Sequence, residues 1–174
     1  IDRDRLLNIQ GRSRKPQMEL AALFGIQDYP CPAGGCLLTD PGFAKRIKDL
    51  ITHDPDFSLN DVHLLKMGRH FRMSSAVKLV VGRNEEENLK IQTFSQEGDV
   101  LLQVSHYPGP LSLLRGMING KAIEKAAAIT ARYTKAKELR EVEVVWRKAK
   151  EEEGRSILVS PIPEGEIEGL MIGS

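Results

Sequence analysis

Between Tyr29 and Phe43 the chain reads Tyr-Pro-Cys-Pro-Ala-Gly-Gly-Cys-Leu-Leu-Thr-Asp-Pro-Gly-Phe, a loop shaped by proline and glycine that holds both cysteines of the sequence. Proline fixes the backbone and glycine opens angles closed to other residues, so the two sulfurs are presented in a set geometry. The loop runs straight into a helix. Asp40 suits an N-cap and Pro41 the first helical position, and Phe43, Ile47, Leu50 and Ile51 recur at i, i+4, i+7 and i+8. Lys45, Arg46 and Lys48 fall off that apolar stripe and are expected on a solvated, cationic side. Cys36, four residues before the cap, is expected near the positive end of the helix dipole and near Arg46, both of which favour thiolate.

Three readings of the sulfurs stay open. They can be small buried hydrophobes, a disulfide between Cys31 and Cys36, or a reactive thiol. A zinc site is not expected, because the four-residue gap between them and the distance to His53 do not match the usual ligand spacings.

The chain has 174 residues, 41% of them apolar, enough for one ordinary domain or two small ones. Ile1-Asp2-Arg3-Asp4-Arg5 reads as mid-domain sequence, so a C-terminal piece of a longer chain is expected. No apolar run approaches the roughly 18 residues of a membrane span, which makes the cytoplasm the expected address and a membrane partner unexpected. The net charge of +1 identifies no partner. Its distribution is more informative: Arg12, Arg14 and Lys15 sit in a glycine-opened basic loop, which is either a solvated run or a phosphate-holding one.

Met18, Leu20, Ala21, Leu23 and Phe24 predict a short helix ending at Gly25. Asp54-Pro55-Asp56 interrupts the periodicity and marks a division into residues 1–54 and 55–174, with Ser58 capping a short helix beyond it. Strands are expected over His70–Met73, Val77–Val81, Asp99–Ser105 and Leu111–Arg115, then at Val142–Trp146 and Ile157–Val159. Asn84 should cap a helix through Phe94 with Glu85, Glu86 and Glu87 in its first turn. The longest helix is expected over Lys121–Glu138, with Lys121, Lys125, Arg132 and Lys135 on one side, either solvated or following an RNA backbone. The tail after Pro161 is expected as a short edge strand or a loose end. The fold class is α+β: a small antiparallel or mixed sheet packed by helices, preceded by a mainly helical cysteine-loop segment.

Gly34-Gly35-Cys36-Leu37-Leu38, with Asp40 and Phe43, resembles the second catalytic-cysteine segment of ATP-dependent tRNA 2-thiouridine and 4-thiouridine synthetases, over roughly residues 4 to 52. The resemblance implies that Cys36 is the catalytic, persulfide-bearing cysteine, with Cys31 matching no required position and at most an accessory thiol. It further implies tRNA as substrate, a sulfur donor such as a cysteine desulfurase or sulfur carrier, and ATP bound in an upstream domain, with no cofactor held by this piece.

A second resemblance covers Lys78 to Arg147. Val81-Gly82-Arg83-Asn84 with Asn88, Asp99-Val100-Leu101-Leu102, Pro108-Gly109, and Ala126-Ala127 with Tyr133-Thr134-Lys135-Ala136-Lys137 are similar in order and spacing to the NFACT-R domain, an RNA-binding module of fibronectin-binding and ribosome quality-control proteins. It implies that Arg83, Asn84 and Asn88 face RNA. Read locally, Gly82-Arg83-Asn84 is also a plain strand-to-helix turn with a capping Asn. Together the resemblances imply a C-terminal fragment of a tRNA sulfur-transfer enzyme, inactive alone. The alternatives are an RNA- or ribosome-binding adaptor with structural cysteines, and a thiol-redox module.

Overall fold

The structure is a computed structural model that describes residues 15–26 and 36–173. Contacts divide the chain into two units, Ile1–Cys36 and Leu37–Ser174. In the first, α1 (Lys15–Leu23) buries none of its residues and closes on Gly25, whose φ of 68° is the left-handed geometry expected after a helix end.

The second unit opens with a 3-10 turn (Leu37–Thr39) and α2 (Pro41–His53). Asp40 caps α2 as expected, accepting the Phe43 amide at 2.6 Å, with Pro41 just inside. Phe43 and Leu50 are buried against Leu65, each worth about 2 kcal/mol by apolar burial. Arg46 departs from the sequence expectation. Its Nε is buried without a hydrogen bond and desolvation lowers its pKa, because the helix rolls one edge of its cationic side onto the protein. Next comes α3 (Leu59–Leu64), with a reciprocal capping box between Ser58 and Asp61.

The sheet consists of β1 (Arg69–Ser74), β2 (Val77–Val81), β3 (Val100–Val104), β4 (Ser112–Gly116), β5 (Val142–Lys148), β6 (Arg155–Val159) and β7 (Met171–Ile172). Every pairing is antiparallel, in the order β6-β5-β3-β4-β2-β1-β7. The helices α4 (Glu85–Thr93), α5 (Gly120–Arg132) and α6 (Glu164–Glu168) complete an α+β fold. The tail after Pro161 thus supplies both a short helix and the edge strand that covers β1.

Strand alternation builds two cores. Phe71, Leu79, Val81, Leu102 and Leu114 point to one face, where Ala126, Ala127 and Ile129 of α5 close the main core. Val80, Leu101 and Leu113 point to the other, covered by Leu64, Met67 and Ile91. Small residues let α5 sit close to the strands, where Thr130 donates to Ser112 Oγ or to Ala126 O, both at 2.8 Å.

Helix α5 ends at Arg132, six residues short of the expected Glu138. The cause is Thr134, whose hydroxyl donates to Ala131 O at 2.8 Å and accepts the Ala136 amide at 3.1 Å. Those bonds satisfy the groups that would otherwise continue the helix. Lys135 therefore lies beyond the helix, not on its cationic side.

Candidate nucleic-acid interface

Strand β2 hands over to α4 through Gly82-Arg83-Asn84, and the chemistry of this turn is local. Asn84 caps α4 by accepting the Glu87 amide at 2.9 Å. Gly82 donates to Leu111 O at 3.0 Å, and a Cβ there would stand 2.1 Å from Asn88 Oδ1. Only glycine allows that approach. Asn88 then reaches across: its Oδ1 accepts the Leu111 amide at 2.9 Å and its Nδ2 donates to Gly109 O at 3.5 Å.

The Pro108-Gly109-Pro110 loop is thereby tied to α4 on one side. On the other it meets the end of α5, where a Cβ on Gly109 would stand 2.5 Å from Thr134 Cγ2. Between the turn, the loop and Tyr133 lies a cleft of about 470 Å³, with Arg69 and Gln103 also in its wall. The Arg69 guanidinium stands 4.7 Å from the centroid of the Tyr133 ring, over its face. Burial raises the Tyr133 pKa against the opposing pull of Arg69 and Arg132.

Arg83 does not present an unpaired charge. Its Nε and Nη2 donate to Glu87 Oε1 at 3.0 and 2.8 Å, and its backbone amide to Glu87 Oε2 at 2.8 Å. Burial alone would raise the Glu87 carboxyl, but the Arg83 donors and the Gly68 amide together hold it below the usual range. Arg83, Asn84 and Asn88 thus converge at the cleft, each with structural work to do there.

The other expected residues divide by position. Arg132 stands one residue before Tyr133 and pairs with Glu164 at 2.9 Å; Lys135 is exposed just beyond. Lys121 and Lys125 are exposed on the first turns of α5, and 12 residues of helix put Lys121 about 18 Å from Tyr133. Lys15 is exposed on α1 in the other unit. Cys36 is exposed. Arg12, Arg14 and Cys31 lie outside the described residues. Among the described residues no group of three His, Cys, Asp or Glu side chains could hold a metal ion, and no helix is long and apolar enough to cross a membrane.

Arg69 was not among the residues expected from sequence. The signal for it is register. It pairs with Val81 across β1 and β2, which seats it beside the Gly82-Arg83 turn.

The cleft can take a phosphate or planar group: a guanidinium over an aromatic face offers both a charge and a stacking surface. A comparison with curated proteins finds no significant match. Among solved structures, the C-terminal part of the fibronectin/fibrinogen-binding protein from Streptococcus suis superposes with a TM-score of 0.55 at 15% identity, over 75% of this chain and 68% of that one; at that identity the likeness is one of fold. The family model described as the NFACT protein RNA binding domain matches residues 68–171, which include the whole of β1 to β6, the first residue of β7 and every wall of the cleft, and the chain belongs to that family.

Proposed function

We propose that this chain is an RNA-holding module, that tRNA is its ligand, and that the cleft between Arg69, the Gly82-Arg83-Asn84 turn and the Pro108-Gly109 loop receives the RNA. The observation that carries this reading is the Arg69 guanidinium lying over Tyr133 in a cleft whose walls all fall within the region matched by an RNA-binding family. In it Arg69 supplies the charge for phosphate, while Asn84 caps α4 at the turn and Asn88 ties the loop to that helix. Binding of labelled tRNA at two salt concentrations tests it. Arg69→Ala should weaken binding and flatten its salt dependence by about one phosphate contact. Unchanged affinity and slope would remove the cleft from the interface.

A finer reading adds sulfur transfer in tRNA thiolation. It is supported by the exposure of Cys36 immediately before the turn that leads into α2. In that reading Cys36 carries a persulfide delivered by a desulfurase or carrier, and ATP activation of the uracil takes place on residues outside this sequence. Incubation of the chain with a cysteine desulfurase and cysteine should then place one extra sulfur on Cys36, read by peptide mass. A chain that stays unmodified, or a Cys36→Ser variant modified as well as wild type, would leave the adaptor reading alone standing.

A further inference from the structure

Three cations stand side by side on one face of the sheet, far from the cleft. Arg72 of β1 is the register partner of Lys78 of β2, and Lys78 is the register partner of Arg115 of β4. Like charges directly opposite one another are unfavourable, so each needs an answering group. The two arginines have theirs. Arg72 Nε donates to Asp49 Oδ1 at 3.1 Å, with a second bond from Nη2. Arg115 is held by Asp99 at 2.9 and 2.6 Å, by Asp61 at 2.6 Å, by Asn60 Oδ1 and by Phe94 O.

Lys78 has none among the described residues. The neighbouring carboxylate oxygens are already engaged: Asp61 Oδ2 accepts from the amide and hydroxyl of Ser58 at 2.8 and 2.6 Å, and Asp99 Oδ2 also takes the Gln96 amide at 2.7 Å. Burial lowers the amine to about 8; Arg72 and Arg115 push the same way, and Asp49 and Asp61 resist. His53 and Asp54 at the end of α2 complete the charged surroundings.

The amine borders a cavity of about 260 Å³ whose remaining walls are largely apolar, from Leu50, Leu64, Val80 and Leu113. From the geometry we infer that this cavity binds a small organic acid, its carboxylate meeting the Lys78 ammonium and its apolar body lying against Leu64, Val80 and Leu113. Lys78 is half-buried and has no protein acceptor for its ammonium among the described residues; a ligand carboxylate would supply one, while the walls favour a hydrocarbon body over an inorganic anion. The site is distinct from the RNA cleft. Four residues of extended strand separate Lys78 from Gly82, about 13 Å.

Phenylacetate is a suitable probe, with 2-phenylethanol as its uncharged counterpart, followed through the methyl resonances of Leu64, Val80 and Leu113. Phenylacetate should shift these methyls saturably at pH 7, and 2-phenylethanol should bind at least tenfold more weakly. Because the bound form needs the charged amine, affinity should fall roughly 30-fold between pH 7 and pH 9.5. Lys78→Met should abolish acid binding and leave tRNA affinity unchanged. Absence of saturable shifts, equal binding of the alcohol, or acid binding retained by Lys78→Met would overturn the inference. Should that variant not fold, the acid-alcohol contrast and the pH series on wild type decide it.

Discussion

Asn88 clasps Leu111: its side-chain oxygen takes the Leu111 amide at 2.9 Å across 23 residues of sequence, while its amide group faces Gly109 O. This one side chain sets the distance between α4 and the loop that forms the far wall of the cleft. Asn88→Ala should therefore cost about 1–3 kcal/mol, the price of leaving a half-buried amide without its acceptor, and weaken RNA binding as the loop loosens. Urea unfolding and tRNA titration of the same variant check both; a variant with wild-type stability would show that the clasp carries no strain-bearing role.

Gly82 depends on the same contact. A methyl group 2.1 Å from Asn88 Oδ1 cannot coexist with the clasp, so Gly82→Ala should destabilise largely by displacing Asn88. The two changes are then not additive: the double variant should be little worse than the worse single one. Additive losses in a double-mutant cycle would mean that Gly82 acts through something other than Asn88.

Arg83 makes a contrasting case. Since Glu87 neutralises it, Arg83→Ala both deletes a cation and exposes a carboxylate at the cleft. RNA affinity should fall more than for loss of one charge, and Glu87→Gln added to it should restore a good part. If the double variant binds no better than Arg83→Ala, Arg83 touches RNA directly.

Much of the local grammar was legible because it is short-range: Asp40, Ser58 and Asn84 each cap a helix as their neighbours require, and glycine after β2 marks a close approach. What was not legible depends on pairing between distant segments. Arg69 enters the cleft only because β1 and β2 meet in one register, and the row Arg72, Lys78, Arg115 exists only because three strands align. The tail after Pro161 reads as a short edge strand or a loose end and does finish as an edge strand, but its composition carries no signal that the strand it joins is β1. The early end of α5 was written locally, in Thr134, but a hydroxyl in a run of good helix formers reads as tolerable until its partners are known.

Acid sensitivity should centre on His70. It is buried, its Nε2 donates to Met67 O at 2.8 Å, and Nδ1 has no partner. Burial first, then the charge of Lys78, lowers its pKa well below 6.5. Between that folded value and 6.5 the unfolded chain binds the proton and the folded one does not, so stability falls as pH drops below about 6.5. His70→Gln keeps a donor for Met67 and cannot titrate; its stability should be flatter from pH 7 to pH 5 than that of wild type. Parallel curves would show that other groups set the acid limb.

Lys78 should act with the same sign, in the alkaline range. Its amine is charged in both states below about 8, where the folded protein bears the full cost of a half-buried ammonium held between two arginines. As pH rises from about 8 toward 10.5 the folded amine loses its proton first, and that cost is relieved. Lys78→Met should thus stabilise the chain at pH 7, by on the order of 2–3 kcal/mol given the size of the shift, and the advantage should shrink steadily above pH 8. Chemical unfolding of both proteins at pH 7, 8.5 and 10 reads the difference directly. A gap that stays constant with pH would mean that Met gains by packing alone and that the amine is solvated, which would also remove the unpaired ammonium on which the acid-binding cavity rests.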